Sequence, residues 1–159
     1  MAIERTIIGW REWVRLPELG DSTVKAKVDT GARTSTLHAY DVTEFERDGS
    51  AWARFSFHPV QRDEETTVTA EAPLVGQRTV TASNGQSELR YVVETEALID
   101  GEPTPIELTL TRRDAMGFRM LLGRRALRGR FVVDPKRSYR TAESKQVRKR
   151  AKQERSSRR

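Results

Sequence analysis

The chain contains no cysteine among its 159 residues and two histidines. The first absence excludes disulfides and thiolate metal sites, and a cytoplasmic home is the expectation that fits it. The second bears on zinc. A catalytic zinc takes three closely arranged ligands, usually His with a carboxylate, whereas His38 and His58 lie twenty residues apart and no His-Glu-x-x-His helix occurs. Glycine is scattered, no Gly-rich loop precedes a lysine, and the alternating βα pattern that nucleotide loops need is missing. Neither a metal nor a nucleotide cofactor is expected. No apolar run in "MAIERTIIGWREW" is long enough for a signal peptide or a membrane span, so no membrane partner is expected. No internal period marks a repeat protein. The length suits one domain with a real core.

The formal net charge of +6 suggests a nucleic-acid binder until it is divided along the chain. From Arg137 to Arg159 ten Lys and Arg stand against two Glu, a net of +8, which leaves Met1 to Lys136 with 19 basic and 21 acidic residues, a net of −2. The expected organisation is a body, 1–136, and a basic tail, 137–159. The tail lacks apolar spacing and repels itself, so it reads as disordered or loosely helical at best. It is either an electrostatic tether to RNA, a ribosome or another polyanion, or a solubilising extension without a partner.

Within the body, β-prone runs follow one another. Arg5–Leu16 reads as a strand closed by a turn at Pro17–Asp21, with Val24–Val28 as its hairpin partner. Val24, Ala26 and Val28 fall on one face and Lys25 and Lys27 on the other, the period of a half-buried strand. Thr34–His38 reads as a short strand, and Asp48-Gly49 and Asn84-Gly85 as hairpin turns, the latter a two-residue type I′ pair. The polar stretch "VQRDEETTVTAEAPLVGQ" between those hairpins reads as a loop. "TPIELTLTRR" and Met120–Leu122 read as strands, Arg124–Arg128 as one helical turn between glycines, and Phe131–Val133 as a last strand stopped by Pro135. The sum is an all-β, barrel-like domain.

The second strand of the first hairpin, Val24–Val28, runs into Asp29-Thr30-Gly31-Ala32. Read alone, Asp-Thr-Gly is a turn. Followed by hairpins, Met120-Leu121-Leu122-Gly123-Arg124 and a short helix, the order resembles the retropepsin-like aspartic peptidases, a closed β-barrel with one short helix before the last strand. There Asp-Thr-Gly-Ala supplies the catalytic acid and a later apolar-apolar-Gly strand passes behind its loop. "VDTGARTSTLHA", "SNGQ" and "MGFRMLLGR" are similar still more closely to the bacterial and archaeal family long labelled an ATP-dependent zinc protease. That resemblance implies an association with ATP-grasp ligases that append glutamates, and trimming of the tails they add to a ribosomal or other protein. The extra hairpin between Asp41 and Pro59 departs from the small viral members.

The chemistry behind the motif can be stated independently. Hydrolysis without metal or covalent intermediate needs one carboxylate to deprotonate water and one carboxyl to protonate the carbonyl oxygen, and two carboxyls side by side share one proton. One Asp-Thr-Gly per chain therefore predicts a homodimer with Asp29 of both copies at the twofold axis. Thr30 would lock the two loops and Gly31 would bring backbone N–H groups to the carboxylate. By the resemblance, the hairpin at Ser83, Asn84 and Gly85 is a flap over the cleft; the alternative is an ordinary surface hairpin. Ala32 lines the expected cleft. Arg33 and Arg124 are the candidates for gripping substrate carboxylates, each with a structural alternative, which the resemblance favours for Arg124.

His38 reads as a hydrogen-bonded strand end, and Trp10, Trp13 and Trp52 as core or dimer-interface area rather than a base-stacking platform. The leading expectation is a homodimeric aspartic peptidase acting on protein or peptide substrates, polyglutamylated ones among them. Its rival is a non-catalytic β-barrel binding module brought to RNA by its tail.

Overall fold

A computed structural model describes residues 4–60, 65–112 and 117–157. Expectations that touch residues 61–64 of the polar loop, Arg113, Met116 and the tail's last two residues lie outside the described residues.

Eleven strands and two helices are described. They are β1 (Thr6–Gly9), β2 (Arg11–Leu16), β3 (Ser22–Asp29), β4 (Ser35–His38), β5 (Tyr40–Arg47), β6 (Ser50–Phe57), β7 (Val68–Thr81), β8 (Ser87–Ile99), β9 (Glu102–Thr111), β10 (Met120–Gly123), α1 (Arg124–Leu127), β11 (Phe131–Asp134) and α2 (Ala142–Ser157). Strands β2-β3-β10-β4-β9-β8 lie side by side, and Arg15 of β2 pairs with Leu98 of β8 to close them into a six-stranded barrel. β7, β6 and β5 continue the sheet outward from β8, and β1 pairs in parallel with β11 as a separate ribbon.

The alternation in β3 decides its facing: Val24, Ala26 and Val28 are buried while Lys25 and Lys27 point outward. Leu37, Leu108, Met120 and Leu122 fill the barrel beside them, and Phe55 and Phe57 carry the core under the outer sheet. The run expected as one strand from Arg5 to Leu16 is two, broken at Trp10. The break lies where Gly9 passes so close to the Arg137 carbonyl that no Cβ would fit.

Three expectations are corrected. The polar loop is largely strand: β7 begins at Val68, with Ala70 and Ala72 buried and Val68 and Leu74 half-buried on the inward phase, so small apolar residues between threonines and glutamates were enough. The Asn84-Gly85 turn is not a two-residue type I′ turn. The Gly85 N–H donates to the Ala82 carbonyl at 2.9 Å, the Ala82 N–H to the Gln86 carbonyl at 2.8 Å, and only Gly85, at φ +86°, is left-handed. That is a three-residue loop, whose Asn84 side chain accepts the Gln86 N–H at 3.0 Å. The type I′ geometry belongs instead to Asp48-Gly49 and to Asp100-Gly101 between β8 and β9, where both residues have positive φ.

The third correction concerns the tail, which is a 16-residue helix whose first turn is anchored on the barrel. The anchor is Glu12, fully buried on the inward phase of β2. One of its carboxylate oxygens accepts the N–H groups of Gly9 at 2.6 Å and Arg140 at 2.9 Å, and the other accepts the Thr141 N–H at 3.0 Å and the Ser144 hydroxyl at 2.8 Å. Thr141 caps α2, its hydroxyl accepting the Ser144 N–H at 3.2 Å. The Glu143 carboxylate accepts the N–H groups of Asp100 and Gly101, and Asp100 in turn accepts the Ala142 N–H. Polar contacts rather than an apolar stripe hold the helix, so hydrophobic spacing could not reveal it.

The tryptophans are not core. Each is half-buried, Trp13 and Trp52 on the outward phase of their strands and Trp10 at the break between β1 and β2, with a cation over each ring: Arg11 on Trp10, Lys25 on Trp13 and Arg47 on Trp52.

Candidate active site

Asp29 is the last residue of β3, and β10 runs parallel to β3 with Gly123 directly opposite Asp29. β10 also pairs antiparallel to β4, Met120 facing Leu37 and Leu121 facing Thr36. The segment from Asp29 to Thr34 therefore loops around the end of β10. This contact is very close: a Cβ on Gly123 would lie 2.5 Å from the Thr34 carbonyl carbon and oxygen. The Gly123 N–H donates to the Ser35 hydroxyl at 3.0 Å.

The first turn of α1 completes the clasp. Its leading N–H groups have no partners within the helix. They donate instead to the loop, Arg124 N–H to the Ala32 carbonyl at 2.8 Å and Arg125 N–H to the Arg33 carbonyl at 3.1 Å. The Arg124 guanidinium donates to the Thr30 carbonyl at 3.1 Å. Five consecutive residues, Asp29 to Arg33, are thus fixed by a strand and a helix end that lie over ninety positions away in sequence.

The loop shapes the acid. Asp29 Oδ1 accepts the Gly31 N–H at 3.0 Å and the Ala32 N–H at 3.3 Å, which hold the carboxylate plane, while Oδ2 has no partner among the described residues. Asp29 opens onto a groove of about 810 Å³ whose other walls include Ala32, Arg33, Ser83, Arg78, Arg90 and Arg125. The structure thus gathers Asp29, Gly31, Ala32, Arg33 and Ser83 around one groove. Asn84 and Gly85 form the hairpin tip and do not line it. Thr30 and Arg124 face a separate shallow depression of about 530 Å³, with Leu127 and Phe131.

Three arginines were missed from sequence. Arg78 and Arg90 are directly opposed on β7 and β8. Like charges in that position repel, and each is offset by an acid: Arg78 by Glu107 at 2.7 Å and Arg90 by Glu88 at 3.0 Å. Arg125 shares Glu107 at 3.8 Å. Arg90 also reaches the hydroxyls of Thr36 and Thr109, which are bonded to one another at 2.8 Å beneath the groove. The available signal was phase: Glu88 and Arg90 share the face of buried Val92, while Leu89 points outward and is 63% exposed. Arg33 is exposed and has no acidic partner among the described residues.

His38 ends β4, its ring nitrogen 3.3 Å from the Arg119 guanidinium, and the His58 ring nitrogen lies 3.1 Å from the Thr66 carbonyl. No cluster of His, Asp or Glu suited to a metal ion occurs among the described residues, and no described helix is long and apolar enough to cross a membrane.

A closed barrel with Asp-Thr-Gly at a strand end, clasped by an apolar-apolar-Gly strand running parallel to it, defines the retropepsin-like class of aspartic endopeptidase domains. Over residues 7–144 the chain matches the family model described as "Retropepsin-like aspartic endopeptidase RimB", and it belongs to that RimB-like family. It is 46% identical over 142 residues to a "Probable alpha-L-glutamate ligase" of Parasynechococcus marenigrum, and 46% identical over 133 residues to a protein of the same name from Desulfotalea psychrophila. The matches take in 89% and 84% of this chain but 30% and 29% of those relatives, so the chain spans under a third of their length. Among solved structures, a Legionella pneumophila protein of unknown function (DUF785) superposes with a TM-score of 0.71 at 28% identity, covering 86% of this chain and 98% of that one.

Proposed function

We propose that this chain works as a homodimeric aspartic peptidase that removes glutamates from glutamate-tailed proteins. The observation that carries the reading is the Asp29 carboxylate itself. Its Oδ1 is held in plane by two loop N–H groups, and its Oδ2 is left to meet a second carboxyl. Among the described residues of one chain no second acid lines the groove. A second copy would supply it, bringing both Asp29 side chains together with Thr30 of each loop beside them. A suitable face surrounds Thr30, where Leu127, Phe131, Val133 and Pro135 line a shallow, largely apolar depression.

In such a pair, one ionised Asp29 takes a proton from water while its hydroxide oxygen bonds to the scissile carbonyl carbon. The partner copy's neutral carboxyl gives its proton to the carbonyl oxygen. The tetrahedral diol then collapses: the C–N bond breaks, the nitrogen leaves protonated by the first Asp29, and the second recovers its proton from the diol. The hairpin at Ser83–Gly85 would cover the groove and exclude water.

Two observations support glutamate as the residue recognised. Among the described residues four arginines line the groove beside a single acid, and Arg33 has no acidic partner. The relatives named for glutamate ligation carry a region like this one within longer chains, and an activity that reverses glutamate addition would act on the product of such a ligation.

The test presents a glutamate-tailed peptide to the wild-type protein and to Asp29→Asn and follows product masses over time. Loss of the shortened products in the variant, with an unchanged circular dichroism spectrum, is expected. Identical products from both proteins would overturn the peptidase reading. Mixing in excess Asp29→Asn subunits should lower activity by subunit exchange, whereas a catalytic monomer would be insensitive to them.

A further inference from the structure

Residues past 144, where the family match ends, carry the strongest charge in the chain. In α2, Lys145, Arg148, Lys149, Lys152 and Arg155 recur at intervals of one, three and four residues. At 3.6 residues per turn they fall on about one third of the helix circumference and run for about 15 Å. All five are exposed, and none has an acidic partner among the described residues; Arg148 spends one nitrogen on the Tyr139 carbonyl at 2.7 Å. The half-buried Val147 and Ala151 flank the stripe, sharing a shallow depression with Arg148, Lys152 and Arg155, while Glu154 lies on the opposite side. The stripe is held in place, not trailing, because Glu12, Asp100 and Glu143 fasten the first turn to the barrel.

We propose that this face of α2 docks the phosphate backbone of double-stranded RNA, at a site separate from the peptidase groove. Separation follows from topology. The helix is tied to the β8–β9 turn at Asp100, ten residues along from Arg90, roughly 30 Å at the rise of a strand. The choice of partner follows from composition. Protein interfaces are anchored by aromatic and large apolar side chains and are poor in lysine, and this face carries three lysines, no aromatic residue, and only Val147 and Ala151 at its edge. Single-stranded nucleic acid is held by stacking on aromatic rings, which α2 lacks. Helices that read adenine in B-DNA offer Asn or Gln to base edges from within the major groove. A stripe made only of Lys and Arg instead suits a duplex recognised through its backbone, as A-form RNA is.

The experiment measures binding of a fluorescein-labelled RNA duplex by anisotropy, using the full chain over a salt series. Five phosphate contacts give a log–log salt slope of about −4.5, which is about 500-fold weaker binding as salt rises from roughly 50 to 200 mM. Replacing all five residues by Gln should abolish binding while leaving any peptide cleavage unchanged. A four-fold variant that keeps Arg148, and with it the Tyr139 contact, guards against misfolding and should weaken binding by at least about 100-fold at low salt. No binding by the wild-type chain, binding unaltered in both variants, a B-DNA duplex held more tightly than RNA, or a polyglutamate peptide of matched charge displacing RNA at equal concentration would each overturn the proposal. Since cleavage is read separately, this site can fail without the peptidase reading failing.

Discussion

Replacing Gly123 by Ala should damage both the fold and the groove, and the size of the effect can be worked from the clasp. The new Cβ would sit 2.5 Å from the carbonyl carbon and oxygen of Thr34 and 2.9 Å from the Ser35 nitrogen. An ordinary contact is about 3.5 Å, so β10 and the loop must part by about 1 Å. Those atoms are backbone, fixed by the Gly123–Ser35, Arg124–Ala32 and Arg125–Arg33 bonds, and cannot swing aside as a side chain would. Overpacking of this kind costs about 3 kcal/mol. In a domain of this size that lowers the melting temperature by about 6–12 °C. Because the displaced loop carries Asp29, a shift of about 1 Å should also slow cleavage by about 100-fold. Calorimetry and urea titration read the first effect and peptide turnover the second. Gly85→Ala is the control: its φ is +86° but no atom lies within 4 Å of the added carbon, so it should lose only about 1 kcal/mol of torsional origin. If Gly123→Ala melts within about 2 °C of wild type, the clasp does not constrain the loop as described.

Glu12→Ala leaves three buried N–H groups and a hydroxyl without their acceptor, and should cost about 3–5 kcal/mol in urea titrations, with fast amide exchange at Thr141 and Ser144. Arg33→Gln should raise KM for a glutamate-tailed peptide by about 10-fold with kcat little altered, the mark of a lost ground-state contact; a fall in kcat alone would place Arg33 in the chemistry instead. The hydrogen bond from Arg15 holds the Asp21 carboxyl below its ordinary range. Its small contribution is therefore present above the ordinary carboxylate range and lost as pH falls through the lowered value. Asp21→Asn should flatten that acid limb of the thermal-stability profile, and an unchanged limb would show the exposed pair to be idle.

The parts of this molecule legible from sequence are those where local pattern and fold agree. Alternation placed β3, the apolar run placed β10, and Asp29-Thr30-Gly31 with Leu121-Leu122-Gly123 named the two halves of the clasp. What escaped was set by distant partners. Glu12 sits where the phase of β2 demands an apolar residue, and only the backbone of residues 140–144 makes its burial tolerable. Arg78 and Arg90 look like solvated strand residues until the register of β7 and β8 sets them opposite one another above the groove. The tail's basicity is plain in its composition, but its order depends on two acids of the body, Glu12 and Asp100, that no tail-only reasoning includes.

One further consequence lies in β7. This strand belongs to two neighbours in turn, its first half pairing with β6 through Pro73 and its second with β8 from Leu74 onward, and the register slips between Leu74 and Gly76. Gly76, at φ +152° and with open space around it, is the fulcrum between the halves. The arm that ends over Asp29 is therefore the short end of a lever whose long end is welded to the outer sheet. The wall of the groove at Thr79–Ser83 and the outer sheet at β6 are thus two ends of one continuous piece of backbone.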